Sequence, residues 1–337
     1  MTRISVIGAG AWGTTLADLV ARRGEQVTLW AYEAAVVESI NRDHANPEFL
    51  PGAVLTGALR AEADIGKAAR GADVIICATP SHVVRDVFTR VAASATSRQL
   101  VVSVSKGLEP ERLNTISCVL AEVLPAGTPI AVLSGPSFAR EVFDRQPTAV
   151  VAAAHEPALA ERVQQLFAAP YFRVYSHTDI LGVELAGALK NVIALAAGIL
   201  EGLGLGNNTR AALITRGLAE ITRLGAALGA DAATFAGLAG MGDLILTATG
   251  GLSRNRTLGV ELGQGKAVAE ALAARVSVAE GVNTARAAVA LGRRHGVELP
   301  IAEQVSLVLF KGKPPRQAVA DLMERELKSE RWGVEES

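Results

Sequence analysis

The segment Ile4-Ser5-Val6-Ile7 runs directly into Gly8-Ala9-Gly10-Ala11-Trp12-Gly13, and that junction constrains the fold more than any other part of the chain. The first four residues read as a short strand buried on both faces. The next six satisfy G-x-G-x-x-G, and Trp12, Leu16, Leu19 and Val20 then recur at helical spacing. A strand that turns through glycines into a helix is the opening of a dinucleotide-binding βαβ unit. Gly8 permits the tight turn, Gly10 lets the backbone approach a pyrophosphate, and Gly13 allows the helix to pack close to the strand. The free N–H groups of the helix start then face the phosphates.

The pattern continues. Val27–Trp30, Val74–Ala78, Leu100–Val104 and Ile130–Leu133 are apolar runs, separated by stretches of helical period such as Val83–Ala93 and Glu111–Leu124. Strands alternating with helices predict a parallel sheet with crossover helices. Ala149–Ala153 and Phe172–Tyr175 flank a helical stretch at Pro157–Phe167 and are expected to complete the sheet. After about Ser176 no strand pattern remains. Long Ala-rich segments of helical period cover roughly 180–200, 208–229, 231–238, 254–263, 266–274, 281–295, 301–309 and 315–328, punctuated by Gly and Pro. The expected architecture is α/β: a Rossmann-type domain over 1–178, an all-α domain over 179–330, and a disordered tail over 331–337.

Net charge is close to zero, with 33 Lys+Arg against 34 Asp+Glu. No basic field draws nucleic acid or an anionic membrane, so any anionic ligand must be held by local groups. Cys77 and Cys118 lie in apolar stretches and read as core thiols of a reducing compartment. The N-terminus carries no secretory pattern, which points to the cytoplasm. The histidines and cysteines show no metal-ligand spacing. The chain is open to assembly as a homodimer, which the sequence neither requires nor forbids.

Ligands of open parallel sheets bind beyond the carboxyl ends of the strands. That rule selects Thr79-Pro80-Ser81, Ser105-Lys106-Gly107 and Ser134-Gly135-Pro136-Ser137. Lys106 could reach a ligand over its strand end or stand solvated in a loop. Near the end of the second strand, Glu33 sits at about the spacing of a ribose-binding carboxylate, but it could equally open the next helix and complement its dipole.

Lys190 is the only charged residue between Leu185 and Leu200, a stretch too short and too interrupted for a membrane span. It either snorkels to water or is retained for chemistry. Hydride transfer to a carbonyl leaves an alkoxide that needs a proton, and a lysine in apolar surroundings has its charged form disfavoured, which suits acid/base work. Asn191 beside it could donate to a substrate hydroxyl. Asp243 and Thr247 stand four apart, on one helix face, and Asp243 could orient Lys190 or cap its own helix. Ser253-Arg254-Asn255-Arg256 opens a helix with Ser253 as N-cap. Such an end suits a phosphate dianion, with an Arg fork beside free N–H groups, or is simply a solvated basic turn. Glu280 follows a loop and could meet a cofactor or cap a helix.

Taken together, Gly8–Gly13, Ser105-Lys106-Gly107-Leu108-Glu109, Ser134–Phe138, Gly187–Ala194, Gly242-Asp243-Leu244, Ser253–Arg256 and Val278–Gly281 resemble, in order and spacing, the bacterial NAD(P)-dependent glycerol-3-phosphate dehydrogenases over residues 3 to 325. The resemblance implies reduction of dihydroxyacetone phosphate to sn-glycerol 3-phosphate, a phospholipid precursor. It implies Lys190 as general acid/base and Lys106 in contact with substrate and cofactor. Gly135 and Ser137 would line the substrate site, and Asp243, Ser253, Arg254 and Asn255 would hold the polyol phosphate. Ala11, Trp12, Tyr32, Ala139, Arg254, Val278 and Glu280 would contact the nucleotide. Where many members carry His or Arg, this chain has Tyr32 and then Glu33. A tyrosine offers no charge to a 2′-phosphate, so NADP(H) and NAD(H) both stay open. The alternatives are a related 2-hydroxy-acid dehydrogenase and a nucleotide-binding protein without catalysis.

Overall fold

The computed structural model describes residues 1–273, 279–327 and 330. The chain divides into two units, Met1–Glu109 with Asn114–Ile180, and Leu181–Ser337 with Pro110–Leu113.

The first unit is built on an eight-stranded sheet: β1 (Arg3–Ile7), β2 (Gln26–Trp30), β3 (Arg60–Glu62), β4 (Val74–Cys77), β5 (Leu100–Ser103), β6 (Ile130–Ser134), β7 (Thr148–Ala153) and β8 (Phe172–His177). Its order is β3-β2-β1-β4-β5-β6-β7-β8. The helices are α1 (Ala11–Arg22), α2 (Ala34–Asp43), α3 (Ile65–Ala69), α4 (Val84–Ala92), α5 (Ile116–Val123), α6 (Ala139–Phe143) and α7 (Pro157–Phe167). Alternate strand residues fall into two cores, one on either face. Ile4, Val6, Val74, Ile76 and Val102 belong to one, and Ile7, Ile75, Cys77 and Val101 to the other. A sheet covered on both faces is why these strands read as unbroken apolar runs rather than alternating ones.

Every strand pair is parallel except β6–β7, where Val132 faces Ala153 and Ser134 faces Val151. The short α6 does not carry the chain back across the sheet, so β7 returns alongside β6 in the opposite sense. The sequence reading found no strand at β3. With Arg60, Ala61 and Glu62 it has no apolar run, and it pairs only with β2 as an edge. The helix expected over Glu111–Leu124 begins only at Ile116, because Leu113 takes a left-handed φ of 63° and Glu109 N–H donates to Asn114 O, closing a turn. α6 starts at Ala139, with Phe138 at the N-cap. Cys77 is buried as expected, but Cys118 is exposed. Ile116, Val119 and Leu120 form the buried face of α5, and Cys118 falls on the opposite one.

The second unit holds α8 (Ile180–Gly202), α9 (Asn207–Ala227), α10 (Asp243–Thr249), α11 (Arg254–Gly263), α12 (Val268–Ala273), α13 (Glu280–His295), α14 (Pro300–Lys311) and α15 (Pro315–Met323). The expected helix over 231–238 is a 3₁₀ turn, Ala232–Ala236, and a π turn at Leu238–Gly242 leads from it into α10. The helix expected over 315–328 ends at Met323. The expected disordered tail at 331–337 lies outside the described residues.

α8 is long and apolar enough to cross a membrane, but 94% of its apolar window is buried inside the protein, as in a core helix. Against it runs α11, and both contact faces are made of glycine. A Cβ on Gly198 would lie 2.0 Å from Arg256 O, one on Gly202 2.2 Å from Val260 O, one on Gly259 2.1 Å from Leu195 O and one on Gly263 2.3 Å from Ile199 O. Side chains are excluded on both sides, so the two backbones meet directly and their register is fixed.

Candidate active site

In the first unit the glycine clamp forms as its spacing predicts. Gly8 adopts φ 122°, and a Cβ there would stand 2.7 Å from Ala78 O; on Gly13 it would stand 2.0 Å from Gly8 O. Gly10 differs, since a Cβ would meet nothing within 4 Å. Gly10 is the extended N-cap of α1, and no side chain caps that helix start. Ala11 and Trp12, in the first turn, are half-buried. The Trp12 indole stands 6.3 Å from Phe172, centroid to centroid, and its N–H is buried without a partner. An open glycine, an uncapped helix N-terminus and an orphaned indole donor fit a dinucleotide diphosphate.

At the end of β2, Tyr32 is 78% exposed. Glu33 is the N-cap of α2, but its side chain makes no capping hydrogen bond. Ser105 ties the ends of β4 and β5 together by donating to Thr79 O at 2.6 Å and Cys77 O at 3.2 Å. Lys106 follows, and its ammonium donates to Gly135 O at 2.8 Å and Ser137 Oγ at 3.4 Å. It is therefore not a freely solvated loop lysine. Gly135 needs its φ of 130° and its missing side chain, because a Cβ would stand 3.0 Å from Val150 Cα. Ala139, the first residue of α6, accepts from Thr15 Oγ1 at 3.2 Å, which docks α6 on α1.

Two groups that hold this end of the sheet escaped the sequence reading. Glu109, buried at the close of the Lys106 loop, takes the Arg85 guanidinium in a fork at 2.5 and 3.1 Å, and Arg85 also reaches Glu122 at 2.7 Å. Those carboxylates raise the Arg85 pKa well above its ordinary value. Asn46, fully buried in the loop after α2, is the second.

In the second unit the snorkelling alternative for Lys190 fails. The residue is 5% exposed. Its Nζ donates to Asp243 Oδ1 at 2.6 Å and to Thr247 Oγ1 at 2.6 Å. Asp243 is the first residue of α10 and 1% exposed; Gly242 holds the N-cap position. Thr247, one turn on, donates to Asp243 O at 2.6 Å. A buried ammonium is tolerable only with such a partner, and a buried, oriented lysine–carboxylate pair can hold or release a proton at a fixed point.

Asn191 and Asn255 form a second buried pair, with Asn255 Nδ2 donating to Asn191 Oδ1 at 2.9 Å. Asn255 Oδ1 accepts the Gly281 N–H at 2.9 Å, so the side chain expected on the anion instead links α8, α11 and the start of α13. Ser253 caps α11, accepting the Arg256 N–H at 3.2 Å. Arg256 turns back onto Glu201, with both contacts at 2.5 Å. Arg254 is exposed at the first turn of α11. Glu280 opens α13 and is half-buried. Val278 lies outside the described residues.

A doubly wound sheet carrying a dinucleotide clamp in one unit, and a buried lysine–carboxylate pair beside a basic helix N-terminus in an all-helical unit, define a two-unit nicotinamide-dependent dehydrogenase. The family models of the NAD-dependent glycerol-3-phosphate dehydrogenase N-terminus and C-terminus match residues 3–160 and 179–320. A glycerol-3-phosphate dehydrogenase [NAD(P)+] from Geobacter sulfurreducens is 57% identical over 332 residues, 98% of this chain and 99% of the relative. The solved glycerol-3-phosphate dehydrogenase of Coxiella burnetii superposes with a TM-score of 0.92 at 39% identity, covering 96% of this chain and 99% of that one. That of Saccharomyces cerevisiae gives 0.82 at 29% identity, covering 96% and 99%. The chain belongs to the NAD-dependent glycerol-3-phosphate dehydrogenase family.

Proposed function

We propose that this chain reduces dihydroxyacetone phosphate to sn-glycerol 3-phosphate, reversibly, with NADH or NADPH, and so supplies the glycerol backbone of phospholipids. When bound, the reduced nicotinamide supplies the hydride. Gly8, Gly10 and Gly13 with Ala11, Trp12, Tyr32, Ala139, Val278 and Glu280 hold the nucleotide. Lys190 delivers a proton to the oxygen of the reduced carbonyl and recovers one in the reverse direction. Asp243 and Thr247 fix the direction in which its ammonium points. Lys106, oriented by Gly135 and Ser137, contacts substrate and cofactor. Ser253 and Arg254 hold the phosphate together with the free N–H groups of the first turn of α11, to which Asn255 contributes its backbone, and Asn191 borders the substrate. The protein works in the cytoplasm and assembles as a homodimer.

The observation that carries this reading is Lys190, buried and hydrogen-bonded to Asp243 and Thr247. A binding protein without catalysis has no use for an ammonium kept from water at such cost. The Arg254 end favours a phosphate monoester over a 2-oxo acid, because dianion recognition needs both an Arg fork and free N–H groups.

Initial rates with dihydroxyacetone phosphate and with short 2-oxo acids, each against NADH and NADPH, test it. The expected result is cofactor oxidation with dihydroxyacetone phosphate alone. Oxidation driven only by a 2-oxo acid would replace the substrate, and cofactor binding with no oxidation would replace the enzyme. Sedimentation checks the dimer.

A further inference from the structure

Asn46 lies in the loop that follows α2 and is fully buried. Its Nδ2 donates to Ala9 O at 2.8 Å and to Thr14 Oγ1 at 2.9 Å, and its Oδ1 accepts the Phe49 N–H at 3.2 Å. Thr14, also fully buried, donates from its hydroxyl to the same Ala9 O at 3.0 Å. Two side chains, one from α1 and one from a loop distant in sequence, thus converge on a single backbone carbonyl in the middle of Gly8-Ala9-Gly10.

The consequence follows from peptide geometry. No peptide bond among the described residues is cis. In a trans peptide the C=O of one residue and the N–H of the next lie in one plane and point in opposite directions. Anchoring Ala9 O on the buried side therefore aims the Gly10 N–H the other way. Gly10 itself is open, since a Cβ on it would meet nothing within 4 Å.

We propose that Asn46, with Thr14, is a positioning residue for the dinucleotide: by holding Ala9 O it presets the Gly10 N–H toward a bound diphosphate. The proposal rests on the dinucleotide reading of the clamp. Without Asn46 the Ala9–Gly10 peptide loses a donor in a dry environment, and its rotation competes with the orientation that a diphosphate needs. Beyond Phe49 the loop is held by other groups, since Arg140 donates to Pro51 O at 2.9 Å and Thr56 N–H to Asp18 Oδ1 at 2.7 Å. The loop therefore has anchors besides Asn46.

The test is a titration of NADH and NADPH into the apoprotein, followed by tryptophan fluorescence, for the wild type and Asn46→Ala. ADP, which shares the diphosphate, is measured as a competitor, and steady-state rates are taken on the same samples. The expected result is a Kd for the dinucleotide raised about ten-fold, the scale of one lost hydrogen bond in a buried site. The ADP inhibition constant should rise by the same factor, while kcat at saturating cofactor and KM for dihydroxyacetone phosphate are retained. An unchanged Kd in a folded variant overturns the proposal, and so does a fall in kcat with Kd unmoved, which marks a merely structural residue. If Asn46→Ala does not fold, Thr14→Val keeps the side-chain shape, removes the second donor to Ala9 O and is read by the same outcomes. A wild type that binds neither dinucleotide instead overturns the clamp reading itself.

Discussion

Gly10 in the first unit and the glycines between α8 and α11 in the second serve opposite purposes. In the first, Gly10 is left open, and a Cβ on it would touch nothing; the missing side chain leaves a backbone N–H accessible. In the second, Gly198 and Gly259 are closed, each with a Cβ position far inside van der Waals contact of a carbonyl oxygen, at 2.0 and 2.1 Å. There the missing side chains bring α8 and α11 together, so that the end carrying Ser253 and Arg254 has a fixed register to the helix carrying Lys190. In the proposed reading the first unit recognises the dinucleotide with backbone groups oriented by side chains such as Asn46 and Ser105, and the second acts with charged side chains placed by backbone packing. Cofactor affinity and proton chemistry should therefore fail separately under mutation.

Short of replacing Lys190 itself, Asp243→Asn gives the largest expected effect. It removes the charge that holds Lys190, and kcat should fall roughly a hundred-fold or more, the scale of positioned acid/base catalysis, with the dinucleotide Kd unmoved. Stopped-flow turnover with a parallel cofactor titration checks this, and a matching loss of cofactor affinity would break the division between the units. Arg254→Ala comes next. KM for dihydroxyacetone phosphate should rise about ten-fold or more, as for a lost charged hydrogen bond, and inhibition by inorganic phosphate should disappear. Unchanged phosphate inhibition would move the anion site elsewhere.

The glycines sharpen the contrast directly. Gly198→Ala should destabilise by about 1–3 kcal/mol, because neither helix backbone can give way, and should raise KM for dihydroxyacetone phosphate. Gly10→Ala should leave the denaturation midpoint nearly unchanged and weaken the dinucleotide alone. Equal stability losses in the two variants would mean that the two glycines do the same job.

The smallest effect concerns Glu220, buried on α9, which accepts the Ile301 and Ala302 N–H groups at the start of α14 at 2.8 and 2.9 Å. Burial pushes its carboxyl from 4.5 up to about 7, against the pull of those two N–H groups. The folded state then holds a proton that the unfolded chain has already released. This contribution is fully present below the unfolded value and is lost as pH rises through about 7. It amounts to roughly 3 kcal/mol at most. Denaturant midpoints between those two pH values should fall with rising pH in the wild type and fall less in Glu220→Gln. Parallel slopes would show that Glu220 does not titrate there.

Legibility in the sequence followed the same division. Strands buried on both faces leave long apolar runs, so β1, β2, β4, β5 and β6 were readable, whereas β3, an edge of Arg60, Ala61 and Glu62, leaves no such mark. Gly8–Gly13 could be read because a local turn needs local glycines. Lys190 stood out because a lone charge on an apolar helix is conspicuous, but whether it snorkels depends on Asp243, 53 residues away in the chain. Asn46 and the Arg85–Glu109 fork were invisible for the same reason, since their partners come together only in the fold. Cys118 was misread because an apolar stretch does not by itself say which helix face a residue takes.

The most direct test of the account is Lys190→Ala, examined on one preparation by dinucleotide titration and by turnover with dihydroxyacetone phosphate. The account predicts a wild-type Kd and a kcat lowered by about a thousand-fold, within the range of general acid/base catalysis. A kcat within a few-fold of the wild type, with the cofactor still bound, would contradict it and remove Lys190 from the proton step.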